Sequence, residues 1–137
     1  MSDCIFCAIV ERAAPARIVF EDERTLAFMD LFPLTRGHAL VIPKAHSENL
    51  LDADPAEAVA VMRTAQQVAQ AAMRVYSPDG LNLLQTNGEA AMQTVFHLHV
   101  HVLPRYVGDG FGVTLERRGA HAEDLDEAAS LLRSALG

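Results

Sequence analysis

Three histidines alternate with apolar residues in the segment FHLHVHVLPR, residues 96–105. Side chains two and four residues apart in an extended strand lie on the same face. The alternation therefore predicts a strand over 95–105, with His97, His99 and His101 in a row on one face. The opposite face would enter a core and carries the apolar residues Leu98, Val100 and Val102.

The spacing of the three histidines limits what they can do together. On a straight strand, the Cα atoms of His97 and His101 would lie roughly 13 Å apart, whereas a Zn–N bond is only about 2.0 Å long. One ion cannot take all three rings, so the row is divided between roles. A buried polar ladder is the alternative, but each neutral imidazole in a core needs a hydrogen-bond partner and brings no apolar gain.

A neutral imidazole can also act as a nucleophile on phosphorus and form a covalent nucleotidyl-histidine. Such a ring needs an acceptor on its far nitrogen, which sets the tautomer, and donors near the phosphate oxygens. The middle histidine, His99, is best flanked for this task. His101 could then donate to a phosphate oxygen or to the bridging atom.

The remaining pattern predicts an α+β fold with two further helices around a long central one. The central helix is expected over 55–76, with Asp54 as its N-cap and Glu57 completing a capping box. The shorter helices are expected over 4–12, capped by Asp3, and over 123–136, where Leu125, Ala128, Leu132 and Leu136 share a face. The other strands are expected as two within 16–30 and one each over 38–44 and 81–87.

Length and charge narrow the class of protein. The 137 residues, half of them hydrophobic, predict a single globular domain over 1–137. A net charge of −7 disfavours a nucleic-acid polymer as partner, because no basic face can follow a phosphate backbone. No apolar run approaches the roughly 20 residues that span a bilayer, and no signal peptide is visible, so no membrane association and a cytoplasmic location are expected.

Several separate motifs resemble the histidine triad (HIT) superfamily, specifically its bacterial Hint-like branch. In chain order they are CIFCAIVER, IVFEDERTLAFMD, RGHALVIPKAH, HLHVHV and VLPRYVGDGFG. The resemblance implies a HIT-like fold, with about five mainly antiparallel strands, a central helix and a C-terminal helix, that dimerises. It also implies a nucleotidyl hydrolase or transferase of the purine nucleoside phosphoramidase type.

The resemblance assigns the catalytic roles residue by residue. His99 matches the nucleophile on the α-phosphate, oriented by the backbone carbonyl of His97, and His101 matches the phosphate partner that assists departure. His38 matches a fourth family histidine that supports the triad, although a satisfied buried histidine is an equal alternative. Thr94 matches a hydroxyl at the phosphate or leaving group.

The pair Cys4 and Cys7 forms a C-x-x-C motif, which in a reducing compartment is more often a metal or redox site than a disulfide. A structural zinc needs four ligands, and His46 and His97 are the natural partners for the two cysteines. The matching positions of zinc-bearing HIT proteins supply such a site, so a structural zinc is expected. A HIT protein without metal, and a thiol redox motif, are the alternatives.

Other positions match the family's nucleotide-binding residues. The polar ones are Asp30 for the ribose hydroxyls and Asn87 and Gln93 near the phosphate or ribose. The apolar ones, Ile5, Phe6, Phe28 and Leu31, match a base pocket, and Ile9 is expected to be core. Met92 departs from the family pattern, which generally has Gly there, so it puts the backbone of the leaving-group loop in question.

The expected substrate is therefore a nucleoside phosphoramidate or a similar nucleotidyl compound, such as a derivative of AMP. A dinucleoside polyphosphate hydrolase is the alternative within the family. A non-catalytic nucleotide-binding regulator and a metalloenzyme that uses the histidine row itself are the alternatives outside it.

Overall fold

The computed structural model describes residues 3–112 and 117–137. Within these two ranges, five strands and three helices follow one another. In order they are α1 Ile5–Val10, β1 Ile18–Glu21, β2 Thr25–Met29, β3 Ala39–Pro43, α2 Pro55–Tyr76, β4 Gly80–Leu84, β5 Val100–Arg105 and α3 Ala122–Leu136. A short 3-10 helix, Glu89–Ala91, lies between β4 and β5.

The strands form one sheet in the order β1-β2-β3-β5-β4, and every neighbouring pair is antiparallel. The fold is therefore the expected α+β class with an antiparallel sheet and helices at the predicted places. Within the described residues, no helix is both long and apolar enough to cross a membrane.

The two faces of the sheet carry two separate apolar clusters. Residues on one face pack against α2, and the cluster comprises Ala27, Ala39, Val41, Val61, Ala65, Val100 and Val102. The alternating residues on the other face pack against α1, and that cluster comprises Phe6, Ile9, Leu26, Phe28, Leu40 and Ile42. His101 pairs directly with Leu40, so its side chain belongs to the α1 face. The histidine site and the long helix therefore lie on opposite sides of the sheet.

Helix α2 has the predicted bounds, because Asp54 caps it and Pro55 occupies the first turn, where its missing N–H costs nothing. The predicted capping box is wrong. The Asp54 carboxylate accepts from the Ala56 N–H at 2.8 Å, while the Glu57 carboxylate accepts from Arg24 at 3.3 Å. Cys4 rather than Asp3 caps α1, with its sulfur 3.4 Å from the backbone nitrogen of Cys7.

The predicted strand over 95–105 is wrong at its N-terminal half, because β5 begins only at Val100. His97 and His99 lie in a bent segment before it, and only His101 is on the strand. Hydrogen bonds from the two rings to backbone carbonyls hold this segment. The His99 ring donates to the His97 carbonyl at 2.7 Å, and the His97 ring donates to the Pro43 carbonyl at 2.7 Å. The apolar alternation is nevertheless retained, since Leu98, Val100 and Val102 are at most 3% exposed.

Strand β4 is shorter than predicted and ends at Leu84 instead of residue 87. Gln85 and Asn87 exchange two side-chain hydrogen bonds immediately after it, at 2.9 and 2.8 Å. Helix α3 forms as predicted, but none of its residues is buried. Its leucine face, which includes Leu125, Leu132 and Leu136, is 57 to 86% exposed.

Candidate functional site

A cavity of about 260 Å³ opens on the α1 face of the sheet. Its walls come from α1, the end of β2 with the following loop, and the segment that leads into β5. Most of its lining is apolar, with a few polar groups at one end, which is the usual composition of a small-molecule site. The lining residues are Ile5, Phe6, Ile9, Pro15, Ala16, Phe28, Met29, Asp30, Leu31, Phe32, Leu40, Thr94, Val95, His99 and His101.

His99 is only 4% exposed and lines this cavity. Burial lowers the pKa of His99 below its usual value, although the bond to the His97 carbonyl and the charge of Asp30 act in the opposite direction. Its ring is therefore neutral at pH 7. Because Nδ1 donates to the His97 carbonyl at 2.7 Å, Nε2 of the neutral ring keeps an unprotonated lone pair. This is the tautomer that a histidine nucleophile needs.

His38 and His101 lie beside His99, and hydrogen bonds fix which nitrogen of each ring carries the proton. The backbone N–H of Leu34 donates to Nδ1 of His38 at 3.1 Å, so the proton of neutral His38 lies on Nε2. That Nε2–H donates to Nδ1 of His101 at 2.9 Å. Neutral His101 consequently carries its own proton on Nε2. His101 is therefore an uncharged ring that can still donate a hydrogen bond.

Burial and nearby charges keep the rings of His38 and His101 neutral. Burial, followed by the charges of His99 and His38, lowers the pKa of His101 to about 4. Burial also lowers the pKa of His38, and the charge of Asp30 opposes that effect. Asp30 accepts from the Phe32 backbone N–H at 2.8 Å, and its other oxygen lies 3.4 Å from Nε2 of His38. Its carboxylate is thus fixed at the polar end of the cavity.

The structure brings together most of the site residues expected from the sequence. Eight of them line the cavity, namely Ile5, Phe6, Phe28, Asp30, Leu31, Thr94, His99 and His101. His38 stands behind His101, is 1% exposed and does not line the cavity. Ile9, expected to be core, is both buried and part of the cavity wall.

Sequence reasoning missed several wall residues, of which Leu40 and Phe32 are the most informative. Leu40 pairs with His101 across β3 and β5, a neighbour that depends on strand register. Phe32 is 84% exposed in the loop after Asp30. The signal available in the sequence was an aromatic residue two positions after Asp30, the candidate ribose ligand.

Gln93 lies outside the cavity wall and uses its whole amide to hold loops together. Its oxygen accepts from the Gly88 N–H at 2.7 Å and from Asn49 at 3.3 Å. Its nitrogen donates to the carbonyls of Glu48 at 2.6 Å and Val95 at 3.0 Å. Every hydrogen-bonding capacity of this buried side chain is therefore engaged.

Asn87 also lies outside the wall. Its side-chain oxygen accepts from the backbone N–H of Leu50 and from the Gln85 amide, both at 2.9 Å. Its side-chain nitrogen donates to Gln85 at 2.8 Å. The side chain thus joins the end of β4 to the segment that precedes α2.

The four predicted zinc ligands converge at one end of α1. The donor atoms of Cys4, Cys7, His46 and His97 all lie within 4.8 Å of one another. Nδ1 of His97 is 3.4 Å from the Cys4 sulfur, 3.5 Å from the Cys7 sulfur and 3.2 Å from Nδ1 of His46. The Cys7 sulfur is 3.4 Å from the same His46 atom.

These separations fit a tetrahedral zinc ion. Zn–N and Zn–S bonds of about 2.0 and 2.3 Å at tetrahedral angles place nitrogens about 3.3 Å apart and nitrogen about 3.5 Å from sulfur. Nε2 of His97 donates to the Pro43 carbonyl at 2.7 Å, so the lone pair of the neutral ring is on Nδ1, the atom that faces the cysteines. Burial also lowers the pKa of His97, which favours the neutral ring that binds a metal.

His99 stands apart from the possible metal ligands. Across residues 3–112 and 117–137, two groups have donor atoms close enough to share an ion: the cysteine–histidine group just described, and Asp30 with His38 and His101. His99 belongs to neither group. The geometry therefore does not favour a metalloenzyme that uses the middle histidine as a ligand.

Comparisons with known proteins find relatives of this chain in both sequence and structure. A family model described as the HIT domain matches residues 11–108. A solved structure of a HIT family protein from Bacillus subtilis has 40% sequence identity and a TM-score of 0.94, with 99% of both chains covered. A Zn-bound histidine triad family protein from Mycobacterium smegmatis has 42% identity and a TM-score of 0.76, with 97% of both chains covered. The adenylylsulfatase HINT3 of Arabidopsis thaliana is 35% identical over 135 residues, which are 98% of this chain and 68% of that protein.

Proposed function

The chain belongs to the HIT domain family, and from that membership we propose that it is a nucleotidyl hydrolase or transferase that works through a covalent nucleotidyl-His99 intermediate. The observation that carries the proposal is the tautomer of His99. Its Nδ1–H is held by the His97 carbonyl at 2.7 Å, so the neutral ring offers Nε2 at the wall of a cavity. The adenylylsulfatase relative adds support, because its name implies cleavage at an adenylyl phosphate.

In the first step, the Nε2 lone pair of His99 attacks the α-phosphorus, and the bond from phosphorus to the leaving group breaks. The His99 ring becomes positively charged as the P–N bond forms, and the His97 carbonyl and the Asp30 carboxylate stabilise that charge. The Nε2–H of His101 donates to the leaving atom or to a phosphate oxygen. His101 keeps this proton, because its ring is neutral and has only one, and a departing amine takes the proton that it needs from solvent water.

In the second step, a water molecule attacks the same phosphorus and the P–N bond breaks. One proton of the attacking water is released to solvent, and His99 is released as the neutral ring that began the cycle. The products are a nucleoside monophosphate and the protonated leaving group. His38 positions His101 through the 2.9 Å bond between their rings, so that the donating nitrogen of His101 stays the same throughout.

The cavity suggests how a nucleotide is held. The base would lie among Ile5, Phe6, Phe28 and Leu31, and the Asp30 carboxylate at the polar end would accept from the ribose hydroxyls. Thr94, exposed at the cavity rim, would donate to the phosphate or leaving group. An apolar base site with few polar contacts discriminates weakly among bases.

Asn87 and Gln93 remain predictions as nucleotide ligands. Each would have to exchange hydrogen bonds that now join loops, including the 2.9 Å bond from Leu50 to Asn87. Support of the loop around Thr94 is the role that their contacts favour.

The cysteine–histidine group would hold a structural zinc ion. The fit of its donor distances and the His97 tautomer support this part of the proposal, as does the Zn-bound relative from Mycobacterium smegmatis. The ion would fasten α1 to the segments that follow β3 and precede β5. It would add folding free energy and take no part in the reaction.

We propose that the protein forms a homodimer, so its partner is a second copy of the chain. We also propose that the protein is cytoplasmic. The edge strand β4 and the outer side of α2 border an apolar groove that includes Val59, Met62, Met73 and Leu83, and these four side chains are 41 to 59% exposed. Two copies of this groove would bury each other's apolar surface around a two-fold axis. Light scattering of the wild type and of Met62→Glu would show a dimer and a monomer, respectively.

The nucleophile is tested by trapping. Full-length protein mixed briefly with adenosine phosphoramidate and quenched should carry an adenylyl group on His99, found by mass spectrometry. The His99→Ala variant should bind AMP but form no adduct and turn over no substrate. His121→Ala, which removes an exposed histidine at the start of α3, is the matched control and should behave as wild type. Near-normal turnover by His99→Ala would refute the mechanism.

The leaving group is tested by comparing kcat/KM for three substrates. An adenosine phosphoramidate is expected to be preferred over adenylyl sulfate and over a diadenosine polyphosphate. Preference for the diadenosine compound would favour the dinucleoside polyphosphate hydrolase. Tight AMP binding without turnover of any of the three would favour a nucleotide-binding regulator instead.

A further inference from the structure

Helix α1 forms a wall between the cysteine–histidine group and the nucleotide cavity, and it contributes residues to both. Cys4, its cap, and Cys7 belong to the group, whereas Ile5, Phe6 and Ile9 line the cavity. The helix has only six residues, far fewer than the roughly 12 to 15 at which an isolated helix becomes even marginally stable. Its position therefore depends on the contacts at its two sides.

Phe6 is the side chain that touches both sites. Its ring is 6% exposed and packs edge-on against His97, at 5.9 Å between centroids, and against His99, at 5.2 Å. It also packs edge-on against Phe28 at 5.4 Å, within the cavity wall. One aromatic ring thus contacts a candidate metal ligand, the candidate nucleophile and the candidate base site.

The backbone provides a second connection between the sites. The His97 ring faces the cysteines, whereas its carbonyl oxygen holds Nδ1 of His99 at 2.7 Å. A change in the position of His97 would therefore move the acceptor that orients the nucleophile. Both connections run through groups that an ion at the cysteine–histidine group would hold in place.

We propose that the two sites are thermodynamically coupled, so that zinc at Cys4, Cys7, His46 and His97 raises the affinity of the cavity for a nucleoside monophosphate through Phe6 and α1. This inference rests on the proposed function, which supplies both ligands. An ion that fixes α1 removes the cost of ordering the wall when the nucleotide enters, which is a gain from preorganisation. Because coupling is reciprocal, the nucleotide must tighten zinc binding by the same factor.

The experiment measures both halves of this thermodynamic cycle on the full-length protein, with AMP and zinc as the ligands. Calorimetric titration gives the Kd of AMP for the zinc-stripped and the zinc-loaded protein. Competition with a colorimetric chelator gives the zinc affinity with and without saturating AMP. We expect zinc to lower the Kd of AMP roughly fivefold or more, and AMP to raise the zinc affinity by an equal factor. Amide hydrogen exchange in α1 should slow when zinc is added.

A pair of variants separates coupling from simple loss of a contact. Phe6→Leu keeps an apolar side chain but removes the ring contacts with His97 and His99, so both ligands should bind while the coupling factor falls towards one. Leu31→Ala is the matched control, because Leu31 lines the same cavity from the loop after β2 and is 68% exposed. It should weaken AMP binding while the coupling factor stays at the wild-type value.

The outcomes distinguish the coupling from the proposed function. If both ligands bind folded protein, as circular dichroism reports, and neither affects the other, the coupling is refuted and the proposed function stands. If AMP does not bind the wild type, both the proposed function and the coupling are refuted. If zinc does not bind, the structural zinc site and the coupling are refuted, while the proposed reaction at His99 stands. If Phe6→Leu retains the full coupling factor, the route through Phe6 is wrong.

Discussion

Nε2 of His38 lies 2.9 Å from Nδ1 of His101 and donates to it, because the Leu34 N–H already occupies the other nitrogen of His38. A histidine without any place in the cavity wall thereby determines which nitrogen of its neighbour carries a proton. The relationship explains how His101, with its pKa lowered to about 4, can still donate to a phosphate group at neutral pH.

This relationship predicts that His38→Ala lowers kcat about 10- to 100-fold with little change in KM, because His101 then populates both tautomers. Steady-state kinetics with adenosine phosphoramidate measure the effect. His38→Gln, whose amide can donate to His101, should recover part of the lost kcat. Equal activity of His38→Ala and wild type would show that the ring-to-ring bond has no catalytic role.

The lowered pKa of His101 predicts a loss of stability in acid. Between about pH 6.5 and pH 4 the ring is protonated in the unfolded chain but neutral in the folded one. The unfolded state then binds more protons, so the free energy of unfolding falls as the pH is lowered through that window. Urea unfolding at intervals from pH 7 to pH 4 measures the slope. His101→Asn should reduce it by up to about 1.4 kcal/mol per pH unit, the value for one proton, and an unchanged slope would contradict the assignment.

Gly37 is predicted to tolerate no side chain. It has φ +88°, and an added Cβ would lie 2.6 Å from Cε2 of Tyr76 at the end of α2. Gly37→Ala should therefore lower the free energy of unfolding by about 2 to 4 kcal/mol, from the close contact together with the left-handed backbone. Gly108→Ala is the matched control, since φ is +75° but nothing lies within 4 Å. Its loss should be only about 1 to 2 kcal/mol, and equal losses in urea unfolding would exclude the Tyr76 contact as a cause.

Met92 adopts φ 72° in the loop after the 3-10 helix, a left-handed conformation that favours glycine. The family pattern generally has Gly at this position, and the left-handed backbone explains that preference. Methionine adopts the same conformation only with backbone strain. Met92→Gly should raise the free energy of unfolding by about 0.5 to 1 kcal/mol. The side chain is 74% exposed, so no packing is lost. Destabilisation on urea unfolding would show that Met92 makes contacts that offset its strain.

Local sequence patterns predicted those parts of the protein whose causes are local. The Asp54–Pro55 start and the 22 residues of α2 follow from capping and helical spacing. The alternation of Leu98, Val100 and Val102 predicted their burial, because burial of one face needs only a period of two. The resemblance to the HIT family named the residues of the cavity and of the cysteine–histidine group, although they are distant in the chain.

Only the tertiary structure decided how those residues are used. Pro43 and His97 are 54 residues apart, and their 2.7 Å contact determines that Nδ1 of His97 faces the cysteines. Strand β5 begins only at Val100, so His97 and His99 precede the strand that alternation predicts for all three histidines. Alternation describes which face a residue occupies in a regular strand. It cannot describe a segment held by hydrogen bonds from its own rings to backbone carbonyls, because the Pro43 carbonyl comes near His97 only after the chain has folded.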